Sequence, residues 1–475
     1  MLAAYTVQHG PAATPTTIAH ADVLDVSGNF DLTRTGDHPL APGDAAGGRA
    51  TIQIRRSALP SGWRNRRVRV SYTIDGTTVP AFTGVITGAD GTDDTVTLTC
   101  ESAAKVIRKL RAYSPLFVRR PAATVTTAAS VENPSAPGYR AGLINWILWM
   151  AGWRPLQQAA TYPAAPGYYD LEQAIIEIDF AWVAGNDAWE EAGKLARASA
   201  GYLYVGRDGV IRYRQPLTLA APLPGVTLDE QVYATLNDRA ATEQTVSRVL
   251  CPYVPRRIPV SQTIVDDDQP RLLEAGASTT VPLEPQWPIY GLPSPPTVAV
   301  SAYDYRGTSV SPTVSVDHRA QRIVVTIANP ASYPIVVTRI TVTGRPIQPG
   351  EQQTEESGAG DDTDTLAIPA NEHIQRQSQA SRLSAIYLLM HAERVLYTAS
   401  GCPFNPAINI GDVVRLSNRA RSLVNEPVLV LSVRHSQTGL ESEYTLCTTA
   451  GLLSTSDVWL VGETYASGDT RQLSY

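Results

Sequence analysis

The sequence predicts a mainly β protein with some α, built from two small β-barrels, an α/β domain and a β-sandwich-like insertion. Three observations carry that reading. Two strand sets at opposite ends of the chain share one pattern of short alternating strands joined by Gly, Asp and Ser turns. A helix followed directly by a hairpin stands near the middle. A Pro-rich, strand-like stretch separates that unit from the second strand set.

The first strand set starts with Ala50–Arg55, Arg67–Tyr72 and Thr95–Cys100, each alternating polar and apolar residues as half-buried strands do. Val79–Ile86 runs through a polar turn at Asp90–Asp94 into Thr95–Cys100. Glu101–Ala112 then places Ala103, Val106, Ile107 and Leu110 on one helical face, with Arg108, Lys109 and Arg111 in the last turn beside the negative end of the helix dipole. Together these define a first barrel with a closing helix over 1–112.

An α/β domain is expected over 113–230. Its first part, 113–140, is a Pro-, Ala- and Thr-rich connector, and Gly142–Trp153 is apolar all round, which fits a buried helix. Asp187 followed by Glu190 resembles a capping box, Trp189, Ala192, Leu195 and Ala196 form the apolar face, and Gly201 suits a C-cap. The hairpin Tyr202–Val205, Gly206–Gly209, Val210–Arg214 follows.

A β-sandwich-like domain is expected over 231–350, from strands such as Arg322–Ile327 and Ile335–Thr343. The segment 351–455 reads as a flexible acidic loop (Thr354–Thr365), a helix from about Ala380 to Leu396, and the second barrel. That barrel comprises Ile408–Leu416, Pro427–Arg434, a turn at Ser436–Gly439 and the returning Ser442–Cys447. Residues 456–475 form a C-terminal arm, and residues 215–260 are open to either barrel.

Bulk properties narrow the function. At 475 residues the chain is long enough for several cores. Apolar content of 43% and charged content of 18% exclude wholesale disorder. The first residues lack the basic and apolar regions of a signal peptide, and the longest apolar run, Leu143–Trp153, is far short of the ~20 residues of a membrane span. No stable membrane insertion is expected. Cys100, Cys251, Cys402 and Cys447 are scattered without a C-x-x-C pair, so buried thiols are expected rather than a disulfide framework or zinc site.

The net charge of -6 conceals a charge dipole. Residues 49–120 carry 13 Arg and Lys against five acids, whereas 351–372 carry seven acids and no base. Arg55, Arg56, Arg64, Arg66, Arg67 and Arg69 are candidate interface residues for an acidic partner. Solvated faces with local ion pairs are the alternative. Sequence-specific nucleic-acid binding is not expected, because no aromatic residues interleave with the arginines on a known module.

Chemistry has little local support. There is no H-E-x-x-H and no G-x-S-x-G. His391-Ala-Glu393 resembles a deaminase H-x-E, but no P-C-x-x-C accompanies it. The seven histidines lie far apart in sequence. Glu190 and Glu191 point about 100° apart on a helix, against a paired glycosidase role. Asp266–Asp268 and Asp361–Asp364 lack the glycine and terminal glutamate of an EF-hand. The reading is therefore a non-enzyme, with no catalytic residue, metal or cofactor expected.

Four segments, in order, resemble the tail-tip hub of long-tailed bacteriophages, which is related to the baseplate hub of contractile-tailed phages. They are Phe82–Ile86 with Val96–Cys100 and its helix; the Trp189 helix with its hairpin; Ile340–Ile347 with the later Ser/Arg/Ala-rich helix; and Ile410–Leu416 with its returning hairpin. The resemblance implies a homotrimer whose paired barrels form a pseudo-sixfold ring under the distal tail protein. It would close the tail channel, guide the tape-measure protein and DNA, and anchor a separate tail fibre or spike protein for host attachment. It implies a place at the virion tail tip after assembly in the host cytoplasm. A tail-associated cell-wall hydrolase using the Trp-rich 139–190 region, or a carbohydrate-binding adhesin, are the alternatives.

Overall fold

The computed structural model describes residues 4–10, 16–31, 47–74, 77–125, 141–153, 169–215, 222–240, 246–291, 295–360, 364–390, 395–405, 407–436 and 441–449. The C-terminal arm 456–475, the turn 437–439, His38, the His391–Glu393 pair and Asp361–Asp362 lie outside the described residues.

The chain is mainly β, as the sequence predicts. Seven strands of the N-terminal part, β1 (Ala4–Gly10), β2 (Thr16–Ile18), β3 (Val23–Asp31), β4 (Arg49–Arg55), β5 (Arg67–Ile74), β6 (Thr77–Gly91) and β7 (Thr95–Glu101), pair in the order β3-β4-β7-β6-β5-β1-β2. The alternation read from the sequence is realised literally: Val96, Leu98 and Cys100 point inward from β7, and Ala50, Ile52 and Ile54 from β4. Among the described residues, strands rather than helices supply most of this inner face's partners. Its apolar residues pack mostly against residues of the same sheet, which therefore curls on itself as a barrel-like lobe.

The second lobe gathers strands from distant parts of the chain. Val395–Pro403, Glu441–Thr448 and Leu423–Ser436 lie side by side, and Thr235–Ala240 adds to their edge. Val413–Asn418 pairs with the first half of Leu423–Ser436, and Pro222–Leu228 runs parallel to Val413–Asn418. So residues 222–240 lend both their strands to the second lobe.

One long strand joins the lobes. In Leu423–Ser436 the register against Glu441–Thr448 shifts between Val430 and Ser432. Beyond that irregularity Ser432–Ser436 pairs antiparallel with Ser27–Asp31 of β3. A bulge bends its strand and lets it leave one curvature for another. The result is a single 13-stranded sheet with one continuous core running through both lobes.

Four helices are described: α1 (Ala104–Arg108), α2 (Leu143–Ala151), α3 (Ala188–Ala198) and α4 (Gln377–Met390). They share a second core with the hairpin Tyr202–Val205/Ile211–Arg214. α1 is shorter than the predicted 101–112 helix, because the Ala112 carbonyl accepts from Gly185 N–H and Tyr113 bridges Ala184, which draws the chain out of helical geometry. α2 is buried on nearly every side, as expected. α4 starts earlier than predicted and yields to the strand Val395–Pro403.

α3 starts as its sequence dictates: Asp187 Oδ1 accepts from Trp189 N–H at 2.9 Å and Glu190 N–H at 3.2 Å. Its end differs from expectation. Ala200, not Gly201, takes the left-handed conformation (φ 54°). Gly201 is required for space, since a Cβ there would lie 2.3 Å from the Tyr213 ring.

Within the 231–350 segment read as sandwich-like, two sheets over residues 262–344 pack together, while Thr235–Ala240 and Arg248–Tyr253 pair elsewhere. A sheet of five strands (Gln262–Asp267, Arg271–Leu273, Thr297–Asp304, Ser309–Val310, Ile335–Gly344) and one of three (Ser278–Leu283, Thr313–Arg319, Arg322–Ala328) enclose a third core. The acidic stretch differs from the flexible loop expected. Gln353–Gly358 is a strand antiparallel to Arg248–Tyr253, and Thr365–Ala367 runs parallel to the same strand. Exposed acids are compatible with an edge strand when cations flank it: Arg248 pairs with Glu356 at 2.7 Å.

Candidate functional site

The six candidate arginines divide by environment. Arg55, Arg56 and Arg64 are exposed. Arg55 reaches the Ala21 carbonyl, Arg56 the Thr92 carbonyl, and Arg64 lies over the Trp63 ring. Arg66 is half-buried and donates to the Gly62 carbonyl and towards His9 Nδ1. Arg67 stacks over the buried Trp153, which ties the first lobe to the end of α2. Arg69 is 4% exposed. Burial takes Arg69 off the surface of the single chain, so of the six candidates Arg55, Arg56 and Arg64 are exposed and Arg66 and Arg67 half-buried.

The seam between the lobes was not legible as a site. His435 lies 4% exposed in the last stretch of the joining strand, opposite Gly28 of β3. Phe30 stacks against its imidazole at 6.1 Å, and Tyr72 and Phe404 meet it edge-on at 6.3 and 5.7 Å. Burial first, then the nearby Arg207 charge, push this histidine down to about 3. Arg207, itself 3% exposed, lies over the Phe404 ring and donates to Asn409 Oδ1 at 2.9 Å. The hairpin turn 206–209 is thus fastened to the Ile408–Asp412 turn of the second lobe.

A band of charge runs beside that fastening. Arg212 makes a two-pronged contact with Asp208 at 2.9 and 2.7 Å, and Arg214 pairs with Asp170. For Asp208, burial pushes the carboxyl up, but the Arg212 hydrogen bond and charge outweigh it and hold the group below its ordinary range. Asp412 lies on the other side and accepts from Asn409 N–H at 2.7 Å. Burial pushes its carboxyl up, against the pull of that hydrogen bond and of Arg212, Arg207 and Arg214.

The residues weighed for chemistry are mostly used structurally. Trp146, Trp153, Trp182 and Trp189 are buried, so the 139–190 region does not present them as an aromatic platform. Asp266 pairs with Arg339, and Asp267 with Arg271. Glu190 is exposed at the start of α3, whereas Glu191 is buried and meets His373 and Lys194. That last cluster joins residues about 180 positions apart. Its only trace in the sequence is an unusual run of polar side chains, Asn371 to Gln379, which the fold buries at Asn371, His373, Gln375 and Gln379. No helix among the described residues is long and apolar enough to cross a membrane.

No protein-family model matches the sequence, and no match was found among curated proteins. Solved structures similar to this chain include phage tail proteins. The 43 kDa tail protein of prophage MuSo2 from Shewanella oneidensis is 10% identical, with a TM-score of 0.47 over 94% of this chain and 100% of that one. Prophage tail protein gp18 from Listeria monocytogenes EGD-e is 6% identical, with a TM-score of 0.40 over 93% of this chain and 94% of that one. The E. coli c3393 protein is a component of the type VI secretion system with structural similarity to T4 bacteriophage tail proteins gp27 and gp5. It is 10% identical, with a TM-score of 0.37 over 90% of this chain and 73% of that one.

Proposed function

We propose that this chain is a structural hub of a phage tail tip and acts through interfaces rather than chemistry. Three copies present six barrel-like lobes as a pseudo-sixfold ring beneath the distal tail protein. The ring surrounds the path of the tape-measure protein and DNA, and a separate fibre or spike protein attaches below it. Its place is the tail tip of the virion, reached by assembly in the host cytoplasm.

The observation that carries this reading is the fusion of two lobes through one ladder, Ser27–Asp31 with Ser432–Ser436. Two lobes held rigidly in one sheet can repeat one contact six times in a trimer, which two lobes on a loose linker could not. The order of the four segments that resemble tail-tip hubs supports the same assignment. The exposed Arg55, Arg56 and Arg64 supply a basic docking face for a neighbouring subunit or the ring above.

Light scattering across concentrations, with negative-stain images of the same sample, tests the proposal. A trimer of 51.1 kDa chains with a ring-like top view is the expected result. A monomer at every concentration, together with lysis of purified cell wall in a zymogram, would overturn it.

A further inference from the structure

Where α3 meets the segment leading into α4, four ionisable side chains converge. Lys194 Nζ lies 2.6 Å from Glu191 Oε1 and 3.5 Å from Glu372 Oε1. His373 Nε2 stands 3.6 Å from Glu191 Oε2, beyond hydrogen-bond range. One donor atom each from Glu191, Glu372 and His373 lies within 4.8 Å of the others.

The backbone carrying these groups is held from several sides. His373 N–H donates to Asn371 Oδ1, and Asn371 Nδ2 donates to the Lys194 carbonyl. Gln379 Nε2 donates to the carbonyls of Ala198 and His373. Gln375 Nε2 donates to the carbonyls of Phe180 and Glu372. Yet the His373 ring is 0% exposed, and among the described residues neither of its nitrogens has a hydrogen-bond partner. A buried imidazole whose polar neighbour Glu191 stands at 3.6 Å is poorly satisfied, and a second carboxylate, Glu372, offers an oxygen within 4.8 Å. Something that bonds to a nitrogen lone pair and to carboxylates fits this position.

We propose that Glu191, Glu372 and His373 bind one divalent transition-metal ion of the Zn2+ type, with Lys194 holding the carboxylates when the ion is absent. Charge favours the exchange. Two carboxylates and one ammonium leave a net negative cluster, whereas a divalent ion neutralises both acids. The donor set selects the class, since an imidazole nitrogen with carboxylate oxygens suits Zn2+ better than Mg2+ or Ca2+. Bonds of about 2.0–2.2 Å place tetrahedral donors roughly 3.4 Å apart, so the cluster must tighten. Glu372 is the group free to do so, with 38% of its side chain exposed. Lys194, 40% exposed, can swing into solvent, and water completes the coordination. The ion would pin α3 to the approach of α4, whatever the larger assembly is.

Untagged full-length protein, freed of metal with a chelator, is titrated calorimetrically with ZnCl2, with MgCl2 as comparison. All four thiols are buried and so are poorly placed to compete for the added ion. One Zn2+ per chain is expected, with a rise in melting temperature on binding. Glu372→Gln, at a half-exposed position that folding tolerates, and His373→Gln should each weaken binding by more than the ~10–100-fold that losing an outer-shell partner costs. Lys194→Met should strengthen it by removing the competing cation. Absence of saturable Zn2+ binding, or binding unchanged in both ligand variants, would overturn the proposal.

Discussion

Gly28 and His435 face each other across the ladder that joins the two lobes, and a Cβ on Gly28 would lie 2.5 Å from His435 Cε1 and 2.7 Å from Nε2. The imidazole has nowhere to retreat, because Phe30, Tyr72 and Phe404 enclose it. Glycine here serves close approach, not backbone conformation, and the two residues behave as one packing unit.

Gly28→Ala should therefore destabilise the protein by about 1–3 kcal/mol, the usual cost of overpacking. His435→Ala leaves a cavity of its own, but in the Gly28→Ala background part of that space is refilled. Urea midpoints of the two single variants and the double variant should give costs that sum to more than the double's. Strict additivity would show that the contact does not couple the lobes.

Acid should loosen the same seam. The unfolded chain protonates His435 near its ordinary 6.5, whereas the folded chain holds it neutral down to about 3. The unfolded state thus binds the extra proton throughout that window. Stability from the neutral ring is complete above pH 6.5 and is lost progressively as pH falls towards 3, by up to about 1.4 kcal/mol per pH unit. Among the described residues neither ring nitrogen of His435 has a hydrogen-bond partner, so His435→Leu, apolar and close to histidine in volume, should fold. Its urea midpoint should fall less steeply than that of the wild type between pH 6.5 and 4. Parallel curves would assign the acid sensitivity to other groups.

Much of each lobe was readable in advance because alternation and turns are local. Val96, Leu98 and Cys100 announce their inner face within six residues, and Asp187 announces the start of α3 two residues before the bonds it accepts. The joint between lobes has no such signal. Ser27–Asp31 and Ser432–Ser436 are some 400 residues apart, and nothing in either segment specifies the other. Composition alone suggests a solvated loop over Thr354–Thr365, while Arg248–Tyr253, the strand that pairs with Gln353–Gly358, lies about a hundred residues upstream. His373 carries no local signal for a related reason: its neighbours Glu191 and Lys194 belong to α3, about 180 residues upstream. Alternation sets Arg67 and Arg69 on the face of β5 opposite Val68 and Val70, which suggests exposure, but Arg67 lies over Trp153 and the fold buries Arg69.

The Asp208–Arg212 pair should contribute to the fastening between the hairpin and the second lobe. About a fifth of each side chain is exposed, 22% for Asp208 and 19% for Arg212. Asp208→Ala leaves the Arg212 guanidinium with only longer contacts to Asp170 and the Val210 carbonyl, and removes the acceptor of Val210 N–H. A loss of roughly 2–3 kcal/mol in denaturant unfolding is expected, below the ~3–5 kcal/mol for a fully buried pair. Adding Arg212→Met should restore much of it, since removing both charges abolishes the unpaired one. A double variant no better than the single would locate the cost in the turn instead.

Charge reversal separates docking from folding only if it is confined to exposed positions. Arg67 lies over the Trp153 ring and Arg69 is buried, so Glu at either position disturbs the lobe itself. Arg55, Arg56 and Arg64 carry the cleaner test. Arg55 is 60% exposed and its Nε stands 3.8 Å from Asp22, a contact that contributes at most about 1 kcal/mol at the surface. Arg55→Glu, Arg56→Glu and Arg64→Glu combined should leave the melting temperature within a few degrees of wild type while abolishing assembly with the neighbouring ring. Circular dichroism melting and electron microscopy of tails assembled with the variant read the two effects separately. Normal tails would remove these three arginines from the proposed docking surface.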